Sequence, residues 1–84
     1  MTTAKILIVE DDAEIAEILA FNLDKRGYVT LRAESGLAAC RIIEKERPDL
    51  ILLDRMLPDF DGRELCKMIR AHAEESISGI PIIM

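Results

Sequence analysis

The chain has few cationic residues for its length, since 11 lysines and arginines stand against 16 aspartates and glutamates, a formal net charge of −5 over 84 residues. This is the wrong sign for a surface that binds nucleic-acid phosphates, so no direct contact with DNA or RNA is predicted. Long hydrophobic runs are missing too, because residues 6–9 after Lys5 lead straight into acidic residues. We therefore expect no signal peptide, no membrane-spanning helix and a cytoplasmic location.

The usual motifs for zinc, disulfides and nucleotides are also missing. Cys40 and Cys66 form no CxxC pair, and both fall in segments predicted to be helical, so we expect reduced thiols in a reducing compartment. His72 is the one histidine, and its charged neighbourhood predicts a solvated helix face rather than a phosphodonor. The four glycines never approach the spacing of a dinucleotide-binding motif, and a P-loop is absent.

What the sequence does contain is an alternation of apolar strands and amphipathic helices. Strands are predicted at residues 5–9, 28–31, 50–53 and 80–84. Helices are predicted at residues 13–26, 37–46 and 63–73. The continuous apolar runs are typical of strands that are covered on both faces. The order β-α-β-α-β-α-β predicts one α/β domain built on a doubly wound parallel sheet.

Helix ends and helix faces can be predicted from the same patterns. Asp12 and Ser35 are expected N-caps, Gly27 a stop signal and Pro48 a helix breaker. In the second and third helices we expect these apolar residues to face the core: Leu37, Cys40, Ile43, Leu65, Met68 and Ile69. On the opposite, wet face of the third helix we expect Arg63, Lys67 and Arg70.

Two of the apolar strands end in carboxylates. Glu10, Asp11 and Asp12 follow the first strand, and Asp54 follows the third. In an open parallel sheet, ligands bind beyond the carboxyl ends of the strands, near the point where the winding direction reverses. If these two strands are neighbours, their carboxylates gather within a few ångströms of one another. Hard oxygen ligands without a nearby histidine or thiolate suit Mg²⁺ that keeps several of its waters.

A carboxylate beside a divalent cation can attack phosphorus and form an aspartyl phosphate. Asp54 is the better nucleophile because it ends the more apolar strand, whereas Asp11 opens a helix and is better placed as a metal ligand. Taken singly, each carboxylate is better explained as a helix cap or a loop residue. Two buried strands that both end in acids favour a site, because clustered like charges are costly unless they are used.

From Lys5 to Met84 the chain resembles the receiver domains of two-component response regulators. Segment 6–12, Ile-Leu-Ile-Val-Glu-Asp-Asp, is similar to that family's first strand and acidic pair, and segment 48–62 is similar to its phosphoacceptor strand and loop. The resemblance implies a flavodoxin-like fold in which Asp54 accepts a phosphoryl group from a histidine kinase. Such a domain takes part in its own phosphorylation and is not a dedicated enzyme.

The resemblance also implies which residues hold the metal. Asp11 and Asp54 bind Mg²⁺ directly, Glu10 acts through a water molecule, and Met56 offers its backbone carbonyl. Asp12 is then a helix cap.

The resemblance further implies a parent protein that regulates transcription. Residues 53–58, Leu-Asp-Arg-Met-Leu-Pro, are most similar to regulators with a winged-helix DNA-binding domain after the receiver. In that family the domain continues for another strand, helix, strand and helix, which carry a switch hydroxyl and a lysine. Residues 1–84 are thus expected to be the N-terminal portion of a receiver domain, an incomplete (βα)3β unit without an effector domain.

Two other functions compete with phosphoacceptance. Phosphatases of the haloacid dehalogenase type also use a strand-end aspartate, but their acid–base group is a second aspartate where this chain has Met56. The stronger rival is a non-signalling receiver-like module that pairs with a partner without being phosphorylated. Mg²⁺-dependent modification of Asp54 separates that module from a phosphoacceptor.

Self-association is a further expectation of the topology. The winding rule places the first helix on one sheet face and the other two on the opposite face, so one face is half covered. The strand at residues 80–83 would also present an apolar edge on which Pro81 blocks pairing at one position only. Exposed apolar surface of this kind tends to bind another chain.

Overall fold

An open, parallel, four-stranded sheet forms the centre of the computed structural model, which describes residues 3–84. The strands are β1 (Lys5–Val9), β2 (Val29–Ala33), β3 (Leu50–Leu53) and β4 (Ile82–Ile83). The helices are α1 (Ala13–Lys25), α2 (Gly36–Glu46), α3 (Gly62–Arg70) and α4 (Glu75–Ser78). The predicted α/β class with a doubly wound parallel sheet is confirmed. The short helix α4 is an addition that the sequence patterns did not predict.

The strand order β2-β1-β3-β4 puts the change in winding direction between β1 and β3. One edge of β1 pairs with β2 and the other with β3, and both pairs are parallel. In the β1–β3 register Val9 lies opposite Leu53, so the two strands end level with each other. The residues that follow β1 and β3 are therefore neighbours at the carboxyl edge of the sheet.

Burial of the central strands differs between the two sheet faces. Residues 6–9 of β1 are all buried, as their continuous apolar pattern predicts. In β3, Ile51 and Leu53 are buried, whereas Leu50 and Leu52 are half-buried. Coverage on both faces is therefore complete for β1 and complete on one face only for β3.

The main core lies between the sheet and the helices α2, α3 and α4. Its buried members alternate along the strands and recur at helical spacing in the helices, and they are Leu7, Val9, Ala33, Ala39, Ile43, Ile51, Leu53, Leu65, Ile69, Ile77 and Ile80. Helix α1 alone covers the other face, where Ala16, Ile6 and Ile8 are buried. Toward β4 this second face opens into a groove of about 400 Å³, lined in part by Leu52 and Ile83.

The predicted capping residues and the predicted stop signal at Gly27 agree with the structure. The Asp12 carboxylate accepts hydrogen bonds from the backbone N–H groups of Glu14 (2.9 Å) and Ile15 (3.2 Å), and the Ser35 hydroxyl accepts one from Ala38 (3.2 Å). Gly27 follows α1 with a φ of +88°, a left-handed conformation that glycine adopts without strain.

Within residues 3–84, no helix has both the length and the apolar character needed to cross a membrane.

Two residues expected in the core are exposed instead. Leu37 is 53% exposed and Met68 is 49% exposed. In α2 the buried positions are Gly36, Ala39 and Ile43, and Leu37 lies outside this stripe. In α3 the buried pair is Leu65 and Ile69, four residues apart, and Met68 falls beside that stripe.

Two polar residues expected to be solvated make specific contacts. One Arg70 guanidinium nitrogen donates to the backbone carbonyls of Ser78 and Ile80, at 2.7 Å each. The His72 ring lies 3.3 Å from a Glu44 carboxylate oxygen, and its Nδ1 accepts the N–H of Glu74 at 3.0 Å. The Arg70 bonds join the end of α3 to the segment before β4, and the contact with Glu44 joins it to α2. No local pattern indicates these contacts.

Three elements differ from prediction by more than one residue at one end. Strand β2 runs from Val29 to Ala33, and α3 ends at Arg70. Strand β4 is reduced to Ile82 and Ile83, because the Ile80 N–H donates to the Ile77 carbonyl and Pro81 has no N–H to donate.

The unequal burial of β3 and β4 leads to a prediction about stability. Ile51→Val removes one methylene group from a fully buried site and should lower the free energy of unfolding by about 0.5–1.5 kcal/mol. Ile83→Val, at a side chain that is 56% exposed, should have almost no effect. Urea unfolding of the two variants and the parent compares them, and equal losses would contradict this account of the core.

Candidate functional site

The β1–β3 pairing continues one residue beyond the strands and forms the base of a candidate site. The Asp54 N–H donates to the Val9 carbonyl at 2.9 Å, so the residue after β3 is held against the end of β1. On the other side, the Glu10 N–H donates to the Ala33 carbonyl of β2 at 3.0 Å. Backbone hydrogen bonds thus fix the positions of Glu10 and Asp54 before any side-chain contact is considered.

Three carboxylates meet above this base. Glu10, Asp11 and Asp54 each provide an oxygen, and the three oxygens lie within 4.8 Å of one another. Glu10 and Asp54 are half-buried and Asp11 is exposed. This cluster is the one group of three or more metal-type ligands found across residues 3–84. We name it the acidic site.

Asp12 does not belong to the acidic site. Its carboxylate accepts the first free N–H groups of α1, as the cap prediction requires. The Asp12 N–H instead donates to Glu10 Oε2 at 3.2 Å. Asp12 therefore contributes a backbone hydrogen bond to the site, while its side chain serves the helix.

The electrostatics of the acidic site favour a bound cation. Burial raises the pKa of Glu10 above its ordinary value of 4.5, and the neighbouring Asp54 and Asp11 carboxylates raise it further. The hydrogen bond from Asp12 N–H acts in the opposite direction. A divalent cation would remove the repulsion among the three groups, and their hard oxygen atoms fit Mg²⁺.

The ligands that would favour zinc lie elsewhere. Cys40 and Cys66 are free thiols, and burial, together with Glu44 and Asp59, raises the pKa of Cys40. His72 is hydrogen-bonded to Glu44 and Glu74, as described above. The donor chemistry of the acidic site is therefore oxygen only, as predicted.

The loop between β3 and α3, residues 54–61, folds back on Asp54. The Met56 N–H donates to Asp54 Oδ1 at 3.3 Å, and Met56 pairs with Asp61 in an isolated antiparallel bridge. The Gly62 N–H donates to the Arg55 carbonyl at 2.7 Å. A Cβ atom on Gly62 would lie 2.5 Å from the Asp54 carbonyl oxygen, so only glycine fits here. We call this segment the acceptor loop, after the phosphoacceptor role expected of Asp54.

The position of Met56 agrees with its expected role without deciding it. Its backbone is tied to the Asp54 carboxylate, while its side chain is 80% exposed. The structure therefore brings the Met56 backbone to the acidic site, and the use of its carbonyl as a metal ligand stays a prediction.

Three residues that the sequence analysis did not single out also shape the site. Asp61 caps α3 by accepting the Arg63 N–H at 2.8 Å, and an aspartate just before a helix is a signal that could have been recognised. Arg32 Nη2 lies 3.4 Å from the carbonyl oxygens of both Glu10 and Asp11. Asp59 binds the start of α2. The contacts of Arg32 and Asp59 join distant parts of the chain and have no local signature.

Comparison with known proteins gives the same family for the whole described fold. The family profile for the response regulator receiver domain matches residues 6–84. The chain therefore belongs to the response regulator receiver domain family.

Solved structures with this fold come from several kinds of signalling protein. The N-terminal domain of a response regulator receiver protein from Methanoculleus marisnigri is 30% identical, with a TM-score of 0.89, over 96% of this chain and 64% of that chain. The receiver domain of a signal transduction histidine kinase from Syntrophus aciditrophicus is 36% identical, with a TM-score of 0.88, and the match covers 95% of this chain and 59% of that chain. The chemotaxis response regulator CheY4 of Vibrio cholerae is 31% identical, with a TM-score of 0.88, and the match covers 96% of this chain and 66% of that chain. The chain spans less than two thirds of each of these structures.

The raised pKa of Glu10 predicts a pH-dependent stability effect. In EDTA, Glu10→Gln should stabilise the chain at pH 7, because the parent must hold an unfavourable charge at residue 10. Because the pKa of Glu10 is higher in the folded than in the unfolded chain, the Glu10 side chain favours folding at pH values below its ordinary pKa of 4.5. This contribution to stability is lost as the pH rises through the folded-state pKa. The stabilisation by Glu10→Gln should therefore disappear below about pH 4.5.

Thermal unfolding at a series of pH values, with and without Mg²⁺, measures this effect. Glu17→Gln, the same change on the exposed face of α1, is the control and should change little. With saturating Mg²⁺ the order should reverse, because the parent keeps a carboxylate that the cation stabilises. A Glu10→Gln variant that is less stable than the parent in EDTA at pH 7 would contradict the electrostatic account.

Proposed function

We propose that this chain is the phosphoacceptor part of a two-component response regulator, in which Asp54 accepts a phosphoryl group from a histidine kinase in the presence of Mg²⁺. The observation that carries the proposal is the meeting of Glu10, Asp11 and Asp54 at the point where the sheet reverses its winding direction. Ligands of open parallel sheets bind at this point. Membership in the receiver family supports the same role.

The chemistry can be assigned to the residues of the acidic site. Asp11 and Asp54 would hold Mg²⁺ directly, Met56 through its carbonyl and Glu10 through a water molecule. When bound, the cation supplies positive charge to the phosphoryl oxygens. An Asp54 carboxylate oxygen forms a bond to phosphorus, and the P–N bond of the phosphohistidine breaks. The electron pair of that bond stays on the imidazole, which takes up a proton as it leaves.

The local structure holds Asp54 in place for this reaction. The Asp54 N–H is bonded to Val9, and one carboxylate oxygen accepts the Met56 N–H. These two bonds limit the motion of the nucleophile, and positioning is a large part of catalysis in phosphoryl transfer. The chain thus takes part in its own modification and is not a dedicated enzyme.

Helix α1 offers a surface on which a kinase can dock. The helix starts directly after the acidic site and exposes Ile15, Ile18 and Phe21, which are 46%, 62% and 63% exposed. An apolar surface beside the acceptor suits a protein donor that must bring its phosphohistidine to Asp54. This surface supports a histidine kinase as the partner.

The proposal extends to the parent protein. Residues 1–84 are the N-terminal part of a receiver domain in a cytoplasmic regulator of transcription, whose winged-helix domain binds DNA. The similarity of residues 53–58 supports the transcriptional role, and the net charge of −5 supports a receiver that does not itself contact DNA.

Phosphorylation of Asp54 is tested by intact-mass measurement after incubation with Mg²⁺ and a small phosphodonor such as acetyl phosphate. The parent chain should gain the mass of one phosphoryl group, because the carboxylate can attack only when the repulsion of the incoming anion is neutralised. Asp54→Asn should abolish the gain, and EDTA should abolish it in the parent.

A matched control is Asp49→Asn. Asp49 lies just before β3, at the end of the strand opposite to Asp54, and its carboxylate accepts the Lys5 N–H. This variant should be labelled like the parent. Labelling that survives in Asp54→Asn would show that another residue is the acceptor. A folded parent chain that binds Mg²⁺ without being labelled would favour the non-signalling interaction module.

We also propose that the 84-residue chain self-associates through the half-covered sheet face. The apolar groove beside β4 and the exposed side chains of Ile83 (56%) and Met84 (57%) support this. A second copy of the chain that covers the groove or pairs with the β4 edge would remove this apolar surface from water.

Sedimentation velocity across a concentration series tests the self-association. The parent should become larger as its concentration rises, and Ile83→Lys should favour the monomer by placing a charge on the β4 edge. Ile18→Lys, the same change on α1, should leave the association unchanged. A parent chain that is monomeric at every concentration and unfolds cooperatively would refute the proposal.

A further inference from the structure

We propose that Asp59 is a positioning residue, which anchors the acceptor loop to the start of α2 and so increases the affinity of the acidic site for Mg²⁺. This inference rests on the proposed function, because it concerns the same metal site. It assigns a role to a residue that lies outside the acidic site and would not itself contact the cation.

The Asp59 carboxylate makes two hydrogen bonds to α2. One oxygen accepts the Gly36 N–H at 2.7 Å and the other accepts the Leu37 N–H at 3.0 Å. Ser35, the local N-cap, accepts the N–H of Ala38. The free N–H groups at a helix start need partners, and here two of them are satisfied by a residue 22 to 23 positions further along the chain.

Phe60 strengthens the same anchor. Its ring lies so close to Gly36 that a Cβ atom on the glycine would overlap the ring. Two successive residues of the acceptor loop, Asp59 and Phe60, therefore contact the first residues of α2, one by hydrogen bonds and one by packing. The Leu57 N–H, which donates to the Phe60 carbonyl at 3.3 Å, links this anchor to the preceding part of the loop.

Met56 lies between this anchor and Asp54. On one side its N–H is bonded to the Asp54 carboxylate, and on the other the chain reaches the residues held on α2. Fixing both ends restricts the backbone conformations of the residues between them. Part of the conformational entropy of the loop is therefore lost when the chain folds. Less of it remains to be lost when the metal binds, which favours binding.

The charge state of Asp59 allows this role at neutral pH. The N–H groups of Leu37 and Gly36 hold the pKa of Asp59 below its ordinary value of 3.8. Asp59 is accordingly ionised in the range where receivers are assayed, and both carboxylate oxygens act as acceptors there.

The experiment compares the 84-residue parent with Asp59→Asn, Gly36→Ala and Asp49→Asn. Mg²⁺ affinity is measured by isothermal titration calorimetry at 0.15 M salt, where charges more than about 8 Å apart are largely screened. Labelling by acetyl phosphate over a range of Mg²⁺ concentrations gives the rate at saturation. Circular dichroism verifies the fold of each variant.

Asp59→Asn should weaken Mg²⁺ binding about tenfold, the lower end for residues that support metal ligands. The labelling rate at saturating Mg²⁺ should stay at the parent value, because the acceptor loop would be ordered in the metal-bound state of both chains. Gly36→Ala should weaken Mg²⁺ binding in the same way by displacing Phe60, and it changes no charge. Asp49→Asn makes the same chemical change at the far end of β3 and should bind Mg²⁺ like the parent.

Parent-like Mg²⁺ affinity in folded Asp59→Asn would overturn the anchoring role of Asp59. Parent-like affinity in folded Gly36→Ala would overturn it as well, because the loss in Asp59→Asn would then come from its charge. Mg²⁺ binding that is weakened equally in Asp49→Asn would also overturn the anchoring role, since the loss of affinity would then not depend on the acceptor loop. These results leave the proposed function intact as long as the parent binds Mg²⁺ and is labelled. A parent chain that neither binds Mg²⁺ nor is labelled would overturn both proposals.

Discussion

The parallel pairing of β1 with β3 is the interaction on which the site depends. The strands end level with each other, and the hydrogen bond from Asp54 to the Val9 carbonyl extends their ladder by one residue. Side chains alternate between the two faces of a strand, so a shift of β3 by one residue would exchange its buried positions for its half-buried ones. The buried residues Leu7 and Ile51 oppose such a shift, and the packing of the core thereby fixes which carboxylates meet.

The acidic site is held together against the repulsion of its own charges. Burial and the neighbouring carboxylates disfavour the ionised form of Glu10 and raise its pKa. The surrounding structure resists the separation of these groups in several ways. Asp12 caps α1 and fixes the turn that carries Asp11, while Gly62 allows the acceptor loop to pack on the backbone of Asp54. Groups held in this way would need to move little to bind a cation.

Much of the fold could be predicted from the sequence, because its signals are local. Apolar runs predict β1 and β3 at the residues where they occur, and Asp12 and Ser35 precede their helices as capping residues do. The sequence patterns left open whether the two strands that end in carboxylates are neighbours, and the structure shows that they pair. Given that strand order, the general rule for open parallel sheets brings the carboxylates to one site, whatever the details of side-chain packing.

The remaining features depend on contacts between distant segments. Leu37 and Met68 lie on the edges of apolar stripes, and small differences in helix rotation decide that they are exposed. The bonds of Arg70 to the segment before β4 and of Asp59 to α2 join residues that no periodic pattern relates. Helix α4 has only four residues, too few for periodicity to be recognised.

The central claim is that the ends of β1 and β3 form a single cation site around the acceptor Asp54. Its most direct test is a titration of the ¹⁵N-labelled chain with Mg²⁺, followed by two-dimensional NMR of the backbone amides. The account predicts that the amides of Glu10, Asp11, Asp54 and Met56 shift together along one saturation curve. Separate curves for Asp11 and Asp54, or shifts confined to other parts of the chain, would contradict it.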